Sequence, residues 1–163
     1  MDFGEGYAVF CDEVRREANG KDFYIGVYTG GDYIIHKKPE DFQTPYFTII
    51  ATAMFDPIDP PDKVRELQIY FPGKDEPVVT FDFEVPEEAF GKAEKADDMS
   101  QFPHAPMVAR ASIGLSDVRF KESGFVRAVM QYGDKKFLLG RLKISFTPPE
   151  DARSAVGHSV AEP

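Results

Sequence analysis

Apolar and polar residues alternate with a period of two along most of this chain, the pattern of strands that bury one face. Phe47, Ile49, Ala51, Ala53 and Phe55 fall on one face of an extended segment. Val79, Phe81, Phe83 and Val85 alternate with Thr80, Asp82 and Glu84, the clearest single-face pattern in the sequence. Leu67, Ile69 and Phe71 alternate with Glu66, Gln68 and Tyr70. Residues 125–132 and 137–146 read as a hairpin around Gly133-Asp134-Lys135-Lys136, with Leu138, Leu142, Ile144 and Phe146 on one face of its second strand. Residues 7–14 and 23–29 read as a first hairpin. Its turn is Asn19-Gly20, because both residues tolerate positive φ. Residues 33–36 and 107–115 complete the set of extended pieces.

The interruptions are as informative as the strands. Residues 37–45 carry two prolines and read as a loop. Asp56-Pro57-Ile58-Asp59-Pro60-Pro61-Asp62 cannot continue a strand, since proline removes ladder donors. Residues 86–96 are the helix candidate. Pro86 suits a first helical turn, and Glu87 and Glu88 sit well near a helix N-terminus. After Pro148-Pro149 the apolar content falls away. About eight strands, with turn signals roughly every 8–15 residues, predict an all-β fold. The expectation is an immunoglobulin-like antiparallel β-sandwich with one short helix over residues 1–147, followed by a tail at 148–163.

Composition supports the strands and narrows the chemistry. The 15 Phe and 7 Tyr favour β-structure. With 19 basic and 28 acidic residues the net charge is -9, which repels nucleic-acid backbones; no direct nucleic-acid partner is expected. The same acidity keeps a protein soluble, or lets its surface mimic nucleic acid for a basic partner. A single cysteine, Cys11, cannot form an internal disulfide and points to a reducing compartment. No signal-peptide pattern and no membrane-length apolar run are visible, so a cytoplasmic location is expected and no membrane partner.

Two stretches resemble known patterns. Phe10-Cys11-Asp12-Glu13-Val14-Arg15-Arg16-Glu17, Asn19-Gly20-Lys21 and Ile25-Gly26-Val27-Tyr28 resemble the opening of a family of short bacterial and phage proteins. Those proteins share an F-C-D-x-x-R-x-E start, an N-G-K turn and an I-G-V-Y strand. The resemblance implies a bacterial or phage origin and implies no activity. Residues 115–128 look like the E–F corner of an immunoglobulin-like domain. Val126 stands where the corner tyrosine would be and Ala128 where the cysteine would be.

Candidate chemistry is sparse. Cys11 lies among apolar neighbours, and His36, His104 and His158 stand in no recognisable spacing to it; a small buried hydrophobe is the simpler reading. Asp56, Asp59 and Asp62 share one loop and offer oxygens for calcium, although three prolines account for that loop as a rigid connector. Gly30-Gly31 is followed by neither helix nor Lys-Ser/Thr, so a bulge or turn fits better than a phosphate loop. No motif implies a cofactor. Arg15 and Arg16 crowd the first hairpin with Asp12, Glu13, Glu17 and Lys21, as a solvated strand end or a recognition edge. Tyr24, Tyr28, Tyr33, Tyr46 and Tyr70 alternate with or flank the core faces. Exposed together, such rings mark a partner site; otherwise they cover a second sheet face.

The expectation is therefore a non-enzymatic protein-binding module, such as an inhibitor or accessory of a host or phage protein machine. Arg15, Arg16, Tyr24, Tyr28, Tyr33 and Tyr70 are its candidate contact residues. A self-assembling structural component, and an enzyme whose site is assembled from distant residues, are the alternatives. Homo-oligomerisation stays open.

Overall fold

The alternation of residues 47–53 puts Phe47, Ile49, Ala51 and Ala53 into the core, and the long strand that carries them organises one half of the molecule. The computed structural model describes residues 5–55, 65–82, 107–132 and 134–147. Within these lie ten strands: β1 Glu5–Cys11, β2 Glu13–Arg16, β3 Asp22–Ile25, β4 Asp32–Ile35, β5 Thr44–Phe55, β6 Arg65–Tyr70, β7 Val79–Asp82, β8 Met107–Val118, β9 Gly124–Tyr132 and β10 Lys135–Phe146. A single 3-10 turn, Pro39–Asp41, precedes β5. The helix candidate at 86–96, the Asp56-to-Asp62 loop, His104, His158 and the tail at 148–163 lie outside the described residues.

The strands form a three-stranded sheet, β1-β5-β8, a five-stranded sheet, β4-β10-β9-β6-β7, and a separate hairpin, β2-β3. The two larger sheets close on one core. Phe47, Ile49 and Ala111 come from the first; Leu67, Ile69, Val126, Ala128, Leu142 and Ile144 come from the second. The sheets approach closely where Gly140 on β10 meets β1, and a Cβ at Gly140 would stand 3.0 Å from that of Ala8. Rings fill one end: Phe42 stacks on Phe120 at 6.0 Å, and Phe47 and Phe71 meet Phe120 edge-on.

This is the strand order of an immunoglobulin-like sandwich. β1, β5 and β8 take the places of strands A, B and E, and β10-β9-β6-β7 take those of G, F, C and C′. The 115–128 stretch runs from one sheet to the other, as an E–F corner does. Asp117 turns the chain at φ 54°, and Gln43 Nε2 donates to its carboxylate at 2.7 Å. Val126 and Ala128 are both fully buried.

Four expectations need correction. The sandwich is mixed rather than antiparallel, because β4 runs parallel to β10 in register Asp32↔Lys143 to Ile35↔Phe146. No crossover helix is needed, since the paired positions lie 111 residues apart along the chain. The first hairpin is closed not by a two-residue turn but by three residues. Gly20 N–H donates to the Glu17 carbonyl, and only Gly20 has positive φ (83°), the arrangement of a turn followed by a glycine bulge. Among the described strands β7 lies at the edge of its sheet, beside β6, and Phe81, opposite Leu67, is 48% exposed. Leu138 does not share the inner face with Leu142 and Ile144. A β-bulge at Leu139 turns Leu139 inward (8% exposed) and Leu138 outward (56% exposed).

Candidate functional site

The six predicted contact residues fall in three places. Arg15, Arg16 and Tyr24 lie on the β2–β3 hairpin, which folds over the outer face of the three-stranded sheet. Arg110 of β8 reaches Asp22 at 3.4 Å and caps the Tyr24 ring at 5.4 Å, while Thr48 Oγ1 of β5 donates to the Asp12 carbonyl at 3.1 Å. The opposite face of the hairpin points outward, with Phe23 and Ile25 exposed. Arg15 forks onto Glu13 at 3.0 and 3.1 Å, which holds that carboxyl below its usual range; Arg16 pairs with Asp22 at 3.2 Å. These arginines are answered locally, as a solvated strand end would be.

Tyr28 and Tyr33 sit at the corner where β1 turns into β2. Both are half-buried against the core and their rings lie 4.6 Å apart. Tyr28 donates from its hydroxyl to Asp12 Oδ1 at 2.5 Å and from its backbone to the Phe10 carbonyl at 3.0 Å. Burial, and then the bond to Asp12, push its phenol far above the ordinary range; burial raises that of Tyr33. Gly26 turns the chain at φ 67°, and a Cβ there would run into the Asp12 carboxylate. The Phe10-Cys11-Asp12 and Ile25-to-Tyr28 segments are thus halves of one corner, and their roles here are architectural. Cys11 is fully buried beside it. Desolvation, and then the Asp12 charge, push its thiol up to about 11, so it is a poor nucleophile at neutral pH. His36 is exposed on the loop after β4.

Tyr70 lies elsewhere, and it leads to the strongest candidate. It faces outward from the five-stranded sheet, yet it is only 6% exposed. It was expected to be open, and the correction has a specific cause: two cations cover it. Arg127 of β9 sits 4.8 Å and Lys136 of β10 sits 5.8 Å from the ring centre. Lys136 Nζ donates to the Tyr70 hydroxyl at 3.2 Å, and that hydroxyl donates to Gln68 Oε1 at 2.7 Å. Gln68 Nε2 in turn donates to Glu66 and Gln131, both at 2.9 Å. This polar ladder fixes the floor of a shallow depression of about 450 Å³ lined by Tyr70, Asp75, Arg127, Val129, Lys136 and Leu138.

The strip extends beyond the depression. Register places Phe125, Arg127, Val129 and Gln131 of β9 outward. Beside them, β10 turns Lys136, Leu138, Arg141 and Lys143 outward. Arg141 caps Phe125 at 5.0 Å. These eight positions hold four cations and no carboxylate, on a chain whose net charge is -9. Among the described residues none of the four cations makes an ion pair. Leu138 and Phe125 are exposed among them.

Sequence reasoning found Tyr70 and missed its neighbours. Read with an unbroken period of two, Leu138 and Lys136 fall inside; the bulge reverses that phase for everything before Leu139. The available signal was Gly140, a glycine in the middle of a strand.

Among the described residues no group of three or more His, Cys, Asp or Glu side chains is placed to hold a metal ion, and no helix is long and apolar enough to cross a membrane. No protein-family model matches the chain, and no curated protein matches its sequence.

Proposed function

We propose that this chain is a non-enzymatic protein-binding module that grips its partner with the outer face of the five-stranded sheet. One observation carries the reading: an exposed Leu138 and Phe125 set among four cations, none of which makes an ion pair among the described residues. Apolar knobs ringed by unanswered charge gain by covering. Arginine fixed over an aromatic ring is already ordered, so it loses little freedom on binding. An inhibitor or accessory of a larger protein machine is the form such a module takes in a bacterial or phage setting.

The test is affinity capture from the source cell with the wild-type chain and with Leu138→Asp. A partner recovered at stoichiometric level by the wild type and lost by the variant supports the reading. Recovery of nothing stoichiometric, or equal recovery by both chains, sinks it. Leu138 is exposed, so the variant keeps its fold, and thermal melting verifies this.

A further inference from the structure

We infer that the surface this face receives is an extended acidic segment of a protein, with carboxylates at alternate positions and an apolar side chain between them. The inference rests on the protein-binding reading and specifies its chemistry.

Three observations carry it. The first is charge. Lys136 and Arg141 on β10 and Arg127 on β9 form one positive strip on an acidic chain, with Lys143 beyond them beside its register partner Asp32, and a like-charged partner would be repelled from the strip. The second is spacing. Outward residues along a strand recur every two positions, about 6.6 Å apart, and across the bulge Leu138 and Arg141 keep that pitch because they stand opposite Val129 and Arg127, which are two positions apart on β9. An extended peptide repeats its side chains with that same pitch. A carboxylate–apolar–carboxylate pattern laid along β10 therefore sets an acid near Lys136, its apolar residue over Leu138 and a second acid near Arg141. Backbone contacts are not required, because β10 is interior to its sheet, hydrogen-bonded to β9 on one side and β4 on the other.

The third is the state of the rings. Single-stranded nucleic acid also offers regularly spaced anions, but it binds by stacking bases on open aromatic faces. Tyr70 is buried beneath Arg127 and Lys136, and Arg141 sits 5.0 Å from the centre of the partly exposed Phe125 ring. A capped ring such as Tyr70 is a poor stacking platform. Arginine held over a ring still presents N–H groups, and a carboxylate can take two at once. Asp75, on the turn after β6, lines the depression together with Arg127 and Lys136.

The experiment uses the full chain, isotope-labelled for amide NMR, and three synthetic probes: an alternating Asp-Leu peptide, an alternating Lys-Leu peptide of equal length, and an oligothymidylate. The Asp-Leu peptide is expected to shift the amides of residues 125–131 and 136–143. Its affinity should fall at least about tenfold in Arg141→Glu and hold within a few-fold in Arg141→Lys. Raising the salt concentration should weaken it. No shift with millimolar Asp-Leu peptide, shifts confined to other strands, or equal binding of either other probe to this face overturns the inference. Failure here is separable from failure of the broader reading. A stoichiometric cellular partner whose capture is unaffected by Arg141→Glu leaves the module standing and removes the acidic segment; capture of nothing removes the module itself.

Discussion

The two outer faces of the sandwich are treated in opposite ways. That of the three-stranded sheet is covered along its middle by the chain's own β2–β3 arm. Ile50, which points away from the main core, is only 1% exposed, and Thr48 and Thr52 beside it are also buried. Arg110 is answered there by Asp22 and Tyr24. The outer face of the five-stranded sheet has comparable apolar and cationic residues, yet among the described residues Leu138 stays exposed and the four cations make no ion pair. The lesson concerns where a small sandwich spends its extra chain. An insertion between β1 and β4 converts one outer face into a second core layer, and the other remains available for contact.

The largest test of this contrast swaps equivalent truncations between the faces. Ile50→Ala should lower stability by about 2–5 kcal/mol, as for a core residue, while Leu138→Ala should change it by less than about 0.5 kcal/mol. Chemical denaturation of both variants reads the difference, and equal losses would erase the distinction between the faces. Next in size, Gly26→Ala forces a Cβ into the left-handed region and against Asp12, with an expected cost of about 1–3 kcal/mol. A neutral result would show that the arm does not depend on that corner.

A smaller effect of opposite sign is expected at Thr52, whose hydroxyl is buried without a hydrogen-bond partner among the described residues. Thr52→Val should raise stability by about 1 kcal/mol, measured as a higher denaturation midpoint. The last test is silent at neutral pH. The Cys11 thiol ionises near 9 in an open environment and near 11 in the fold. Between these values the unfolded chain has released the proton and the folded chain retains it, so stability falls as pH rises through this window and is unaffected by the thiol below it. Comparing the melting temperatures of wild type and Cys11→Ala across pH 8–11 isolates the slope. Parallel curves would show that the thiol is not enclosed by the arm.

Much of the framework was legible because it depends on local alternation. Phe47, Ile49, Ala51 and Ala53 point inward as their spacing requires, and so do Leu67, Ile69, Leu142 and Ile144. What escaped depends on partners distant in sequence or on a break of phase. Ile50 sits at an outward position, and nothing near it in sequence announces an arm that will cover it. Phe81 reads as core but lies on an edge strand. Tyr70 reads as open and is roofed by residues 57 and 66 positions away along the chain. The candidate site itself was lost to a single inserted residue, Leu139, because one step in register exchanges the faces of a strand. The tyrosines and arginines chosen from sequence turned out to belong to three separate environments, one of which, at Tyr70, lies in the candidate site.

The parallel pairing of β4 with β10 bears on how the molecule is assembled. Among the described strands β4 has no neighbour other than β10, and its partners lie more than a hundred residues further along the chain. During synthesis this early strand waits for its partner until more than a hundred further residues have been made. Such long-range closure makes folding slow. In the interval, β4 and β9 both present open edges, and unpaired edges template association between chains. Pairing with β10 closes one edge of β4 and one edge of β9 in a single step.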